Sequence, residues 1–158
     1  MSGNYLMVEE SIIEELKSGE VDITEFLYES EHNKEDYLNI DKSWHGIHFL
    51  LCADPCGGEK PLFNVVMGGE EINEEDVGYG PARYLTSLEV SEVFEAIKDI
   101  TKDELSQKFD LEEFSRNDIY PNYQSQEDFK YLWFHFEQLK NFFEKASNVH
   151  KAVIVYIN

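Results

Sequence analysis

Hydrophobic residues recur along this chain with two periods, and the switches between them divide it into elements. Tyr5-Leu6-Met7-Val8 is a continuous apolar run, so Asn4 to Val8 reads as a short strand. From Glu9 the period becomes helical. Ile12, Ile13 and Leu16 share a face, Glu9 and Glu10 favour a helix start, and Gly19 ends it. Asp22 can cap a second helix carrying Phe26 and Leu27, with Glu25 three residues after the cap. Glu29 to Asp36 is polar and reads as a loop. Trp44, Ile47, His48 and Leu51 stand at i, i+3, i+4 and i+7, one face of a helix within residues 41–52. Gly46 weakens that helix by about 1 kcal/mol relative to Ala.

A turn-rich stretch, Asp54 to Pro61, follows. Leu62 to Met67 is apolar and stops at Gly68-Gly69, and the acidic run from Glu70 to Gly80 reads as a loop. Arg83-Tyr84-Leu85 suits an extended piece. Thr86 with Glu89, and Thr101 with Glu104, have capping-box spacing ahead of helical patterns. Leu111 and Phe114 begin another short segment. Ile119-Tyr120-Pro121 is expected to be extended, because the residue before proline avoids the α region. Ser125 is placed as the cap of the longest helix, in which Phe129, Leu132, Trp133, Phe136, Leu139, Phe143 and Ala146 keep a 3.6-residue period. Lys151 to Ile157 reads as a buried strand. Strands at the ends and middle with helices between predict an α+β fold. Residues 1–158 then form a single compact domain, several helices packed on a small mixed β-sheet. A chain of this length buries enough surface for a core without staples.

Charge changes the picture next. The chain has 33 acids and 13 bases, a formal net charge of −20. Residues 1–79 carry 19 acids and 4 bases, while residues 80–158 carry 14 and 9, so most of the imbalance lies in the first half. Such a chain is a poor partner for nucleic acid, whose binding depends on clustered Lys and Arg, and for anionic lipid. No apolar run approaches the ~20 residues of a membrane-spanning helix. MSGNYLMVEE has no basic region and no long apolar region, so no secretory signal is read there and a cytoplasmic location is expected. A strong negative field does suit association with a cationic protein.

Two groups of residues could carry chemistry. His45, His48, Cys52 and Cys56 are all zinc-ligand types. They are local to one helix and the turn after it, however, and one helix cannot easily set three ligands tetrahedrally about an ion. The reading adopted is no metal site and no cofactor, with His48 hydrogen-bonded near the core and both cysteines packed as small hydrophobes. Gly78 to Tyr84 places Arg83 between Tyr79 and Tyr84. Arg83 could take a carboxylate or phosphate, or pair with a structural acid such as Glu89 or Glu92. No phosphate loop, nucleophile elbow, zinc-protease motif or EF-hand loop is present.

Taken together, Trp44 to Leu51 (WHGIHFLL), Gly68 to Ile72 (GGEEI), Gly78 to Val90 (GYGPARYLTSLEV) and Ile119 to Pro121 (IYP) resemble the YfbM-like family of bacterial domains of unknown function. The likeness runs over nearly the whole chain. It implies a small, single-domain, mixed α/β protein and carries over no catalytic residue. Two functional expectations follow. One is a non-enzymatic domain that binds a basic protein, as immunity-type neutralisers of nucleases do. The other is a small-ligand binder or hydrolase, with a site where Trp44, His45 and His48 meet Arg83, Tyr84 and Tyr120.

Overall fold

A computed structural model describes all residues, 1–158. The elements in chain order are β1 (Gly3–Val8), α1 (Glu10–Ser18), α2 (Ile23–Tyr28), β2 (Tyr37–Asn39), a 3-10 turn (Asp41–Ser43), α3 (Trp44–Cys52), α4 (Asn64–Met67), β3 (Glu70–Asp76), β4 (Pro81–Leu85), α5 (Ser87–Ile97), α6 (Lys102–Lys108), α7 (Leu111–Arg116), α8 (Asp128–Asn148) and β5 (Ala152–Ile157). The strands form one sheet in the order β2-β1-β5-β4-β3. Every neighbouring pair is antiparallel, so the sheet is not mixed. The α+β architecture follows from hairpins and long returns rather than from β-α-β crossovers, which is what removes parallel pairing.

The C-terminal strand occupies the centre. Ala152 to Tyr156 are all buried, because β5 has a neighbour on each side and helices on each face. Alternation along the strands separates two cores. Tyr5, Met7, Leu85, Val153 and Val155 face a large core built with α3, α5 and α8. Leu6, Val8, Ala82, Tyr84, Ile154 and Tyr156 face a smaller core covered by α1 and α2.

The helix signals are met in detail. Asp22 accepts from the Glu25 amide, and Thr86 and Thr101 both close capping boxes with Glu89 and Glu104. Gly19 is left-handed at the end of α1, as a C-terminal glycine should be. At the start of α8, the Asp128 carboxylate, rather than Ser125, accepts from the Gln124 and Ser125 amides. Phe129, Leu132, Phe136, Leu139, Phe143 and Ala146 are buried along α8. Each of its large apolar side chains contributes about 1.5–3 kcal/mol.

Three segments depart from the pattern reading. The acidic run is strand β3, not loop, paired with β4 at Glu70, Glu71 and Asp76 and irregular between. Tyr37–Asn39 forms β2, a three-residue edge strand against β1 where the pattern shows no strand. Tyr120 lies in a turn, before a cis Tyr120–Pro121 bond, between left-handed Asp118 and Asn122.

Candidate functional site

Three of the six residues expected to meet do so. Trp44 opens α3, and its ring stacks on His45 at 4.9 Å and lies 6.2 Å from Tyr120. The contact with Tyr120 joins α3 to the α7–α8 connection, 76 residues away. The Tyr120 amide donates to His45 Nδ1 at 3.0 Å. On the other side of the ring, His45 Nε2 lies 2.9 Å from the Pro55 carbonyl. A carbonyl can only accept, so Nε2 carries the proton and Nδ1 presents its lone pair to Tyr120. Both nitrogens of His45 are thereby committed to the backbone. Burial lowers its pKa, against a smaller pull upwards from Pro55. The ring therefore works as a neutral clamp between two loops.

His48 lies one turn along and is fully buried. Its Nε2 is 2.9 Å from the Gly57 carbonyl, and its ring edge meets Phe63 at 5.8 Å. Burial lowers its pKa too, and the nearby His45 acts in the same direction. Its Nδ1 is buried without a partner. The two histidines thus fasten the loop after α3 at Pro55 and Gly57. Asp54 tightens the same loop by accepting from the Cys56 and Gly57 amides. Cys52 is half-buried and its thiol is pushed up by burial, while Cys56 is exposed. No three His, Cys, Asp or Glu side chains gather as a metal would require.

Arg83 and Tyr84 bond to residues outside this cluster and point to opposite sides of the sheet. Successive residues of β4 point to opposite sheet faces. Arg83 Nε donates to the Gly69 carbonyl at 2.9 Å, and Nη1 pairs with Glu71 at 2.8 Å. The structural acid is therefore Glu71 on the adjacent strand, not Glu89 or Glu92. Glu89 instead closes the Thr86 capping box and approaches Lys60 at 3.7 Å. Tyr84 belongs to the smaller core, on the sheet face opposite α3. Its hydroxyl donates to Glu70 at 3.2 Å and accepts from Lys17 at 3.3 Å.

A different group was not singled out by the sequence pattern. Asn4 is 1% exposed and sits on the α1–α2 face, between Asn39 and Tyr156 on its neighbouring strands. The Tyr37 hydroxyl and the Asn39 amide donate to Asn4 Oδ1 at 2.6 and 2.7 Å. Asn4 Nδ2 donates to Asn158 Oδ1 at 3.0 Å, and Asn158 Nδ2 reaches the Tyr28 hydroxyl at 3.4 Å. Tyr28 in turn donates to the Val77 carbonyl. The only sequence signal for this group is three of the nine tyrosines, and they are scattered over 128 positions.

Comparison with known proteins agrees with this architecture. The structure is similar to the crystal structure of a protein of unknown function, YfbM from Escherichia coli, with a TM-score of 0.77 and 21% identity over 98% of each chain. At that identity the likeness shows the fold alone. No curated protein matches the sequence. A family profile described as a domain of unknown function, DUF1877, matches residues 1–156. The chain therefore belongs to the DUF1877 family.

Proposed function

We propose that this chain is a non-enzymatic binding domain whose partner is a basic protein. The observation that carries the reading is the placement of charge. Glu14, Glu20, Glu25 and Glu29 on and beside α1 and α2, and Glu70, Glu74, Glu75 and Asp76 on edge strand β3, are all exposed. These elements touch: α1 packs on β3, and Thr24 Oγ1 donates to Glu75 at 2.6 Å. The acidity of the first half thus converges on one side of the sheet. A field of that sign speeds the approach of a cationic partner and falls with salt. The commitment of His45, His48 and Arg83 to structural bonds also supports a domain without a reaction of its own.

The test compares two triple charge reversals. Glu29, Glu31 and Glu74 are exposed on the acidic side and have no ion-pair or hydrogen-bond partner for their carboxylates. Glu92, Glu137 and Glu144 are their counterparts on α5 and α8. Immobilised protein should retain a discrete basic protein from its source cell at low salt and release it at high salt. The Glu→Lys triple on the acidic side should abolish retention, and the α5–α8 triple should leave it. Retention of no basic protein, or equal loss with both triples, sinks the reading.

One observation favours the alternative, a small-ligand binder or hydrolase, at the Trp44 end of the site expected near Trp44, His48 and Arg83. Trp44 Nε1 is a buried donor without a partner beside His45 and Tyr120. A panel of small carboxylates and phosphates, followed by NMR, tests it: the indole N–H resonance of Trp44 should move with a saturable ligand. A panel that leaves it in place removes the support.

A further inference from the structure

Six large apolar side chains are exposed, and three of them are tyrosines at one end of the sheet: Tyr28 at 45%, Tyr37 at 39% and Tyr79 at 64%. They belong to one connected surface. The hydrogen-bond chain Tyr37–Asn4–Asn158–Tyr28 spans it, as described above. Tyr156 fills the space beneath, its ring edge-on to Tyr28 at 6.0 Å and 89°. Tyr79 follows directly, since its amide donates to the Ile157 carbonyl at 2.9 Å. Helices α1 and α2 cover the remainder of this sheet face and stop short of this end, where Tyr28 is the last residue of α2.

The geometry points to this tyrosine-asparagine patch as the docking surface for an arginine- or lysine-bearing segment of a basic protein. The inference rests on the function proposed above and gives it a place. Three arguments favour that occupant. Tyrosine is enriched at binding hot spots and presents a large surface for little conformational entropy. Here Tyr28 and Tyr37 are held in advance by their own hydroxyls, which lowers the ordering cost of association. Their exposed ring faces attract a guanidinium or ammonium group by cation–π contact. The rim is complementary: Glu29 and Glu31 follow Tyr28, Asp36 precedes Tyr37, and Asp76 lies three residues before Tyr79. Opposing cations are few. Lys34 is the one base between Lys17 and Lys42, and Lys145 is engaged by Glu35 and Asp36 at 3.6 and 3.7 Å.

The experiment is an NMR titration of the full chain with an oligoarginine peptide at low salt, and with a glycine-serine peptide as neutral control. Oligoarginine should shift the ring resonances of Tyr28, Tyr37 and Tyr79 and the side-chain amides of Asn4 and Asn158, and the control should not. A Tyr37→Ser/Tyr79→Ser variant should bind about tenfold more weakly, the scale of losing interface hot spots. Tyr79→Ser alone carries the same test should the Tyr37 change unfold the chain, because the Tyr79 side chain is largely exposed. Binding with shifts spread evenly over the acidic helices, or an unchanged affinity in the variant, overturns this location and leaves the basic-partner reading standing. No binding of oligoarginine overturns both. Tyrosine shifts that appear on concentrating the protein alone assign the patch to a second copy of the chain, and overturn the proposal.

Discussion

At the scale of single residues, His45 shows how two hydrogen bonds fix a proton. Its Nε2–H faces Pro55 and its bare Nδ1 faces the Tyr120 amide. A proton added to Nδ1 would confront an N–H donor, so the folded state prefers the neutral ring. Burial lowers the pKa values of His45, His48 and His135 alike. The unfolded chain, with ordinary imidazoles near pH 6.5, therefore binds more protons than the folded one as the solution is acidified. Stability from these residues is fully present above about pH 6.5 and is lost as pH falls through their lowered folded values. Urea unfolding measured between neutral and mildly acidic pH should show the decline, and it should be shallower in His45→Gln. His45→Ala should cost about 2 kcal/mol at neutral pH, because it strands an amide and a carbonyl. A variant as stable as the parent would refute the clamp. The burial of His48 was legible in its i, i+4 place behind Trp44. Its loop partner Gly57 was not, since nothing in the sequence spacing fixes how the chain returns after a left-handed Ala53.

At the scale of elements, α3 carries a glycine in its first turn, a residue that costs a helix about 1 kcal/mol relative to alanine. Packing explains it. A Cβ on Gly46 would lie 2.5 Å from the Tyr123 hydroxyl and 2.8 Å from Leu132 Cδ2 on α8. Both neighbours are buried and cannot swing away. Overpacking of that kind costs about 1–3 kcal/mol, which exceeds the propensity gain. Gly46→Ala should therefore lower the denaturation midpoint despite being the better helix former, and a rise would show that α8 yields. Thr86→Ala should cost about 1 kcal/mol, because it removes the α5 cap that accepts from Glu89. Capping boxes were readable since their partners are three residues apart. Strand β3 was not, because its acids have poor strand propensity. It is a strand only because β4 lies beside it, held by the Arg83–Glu71 pair. The three-residue β2 gave no periodic signal at all.

At the scale of the whole molecule, the two sheet faces differ in kind. The α3–α8 face holds the larger core and the clamp at His45, while the α1–α2 face holds the smaller core, the exposed acids of α1 and α2 and the tyrosine patch. The charge imbalance was legible as a number in the sequence, but its convergence required β3 to be a strand at the sheet edge beside α1. That concentration has a cost to folding, since like charges in a compact state repel one another and salt screens the repulsion. Glu29, Glu31 and Glu74 have no ion-pair partners to lose, and Glu29 sits at the C-terminal end of α2, where a cation is the better neighbour for the helix dipole. Each reversal replaces a negative charge with a positive one, so the Glu29→Lys/Glu31→Lys/Glu74→Lys variant carries −14 instead of −20. It should be more stable than the parent at low salt by about 1 kcal/mol, some 2–4 °C in melting temperature. The gap should close as salt is added. Calorimetry at two ionic strengths checks both statements, and a variant that melts lower at low salt would contradict them. A surface that improves stability when its charge is reversed is not arranged for folding. Loss of partner retention in the same variant that gains stability would separate the two roles in one molecule.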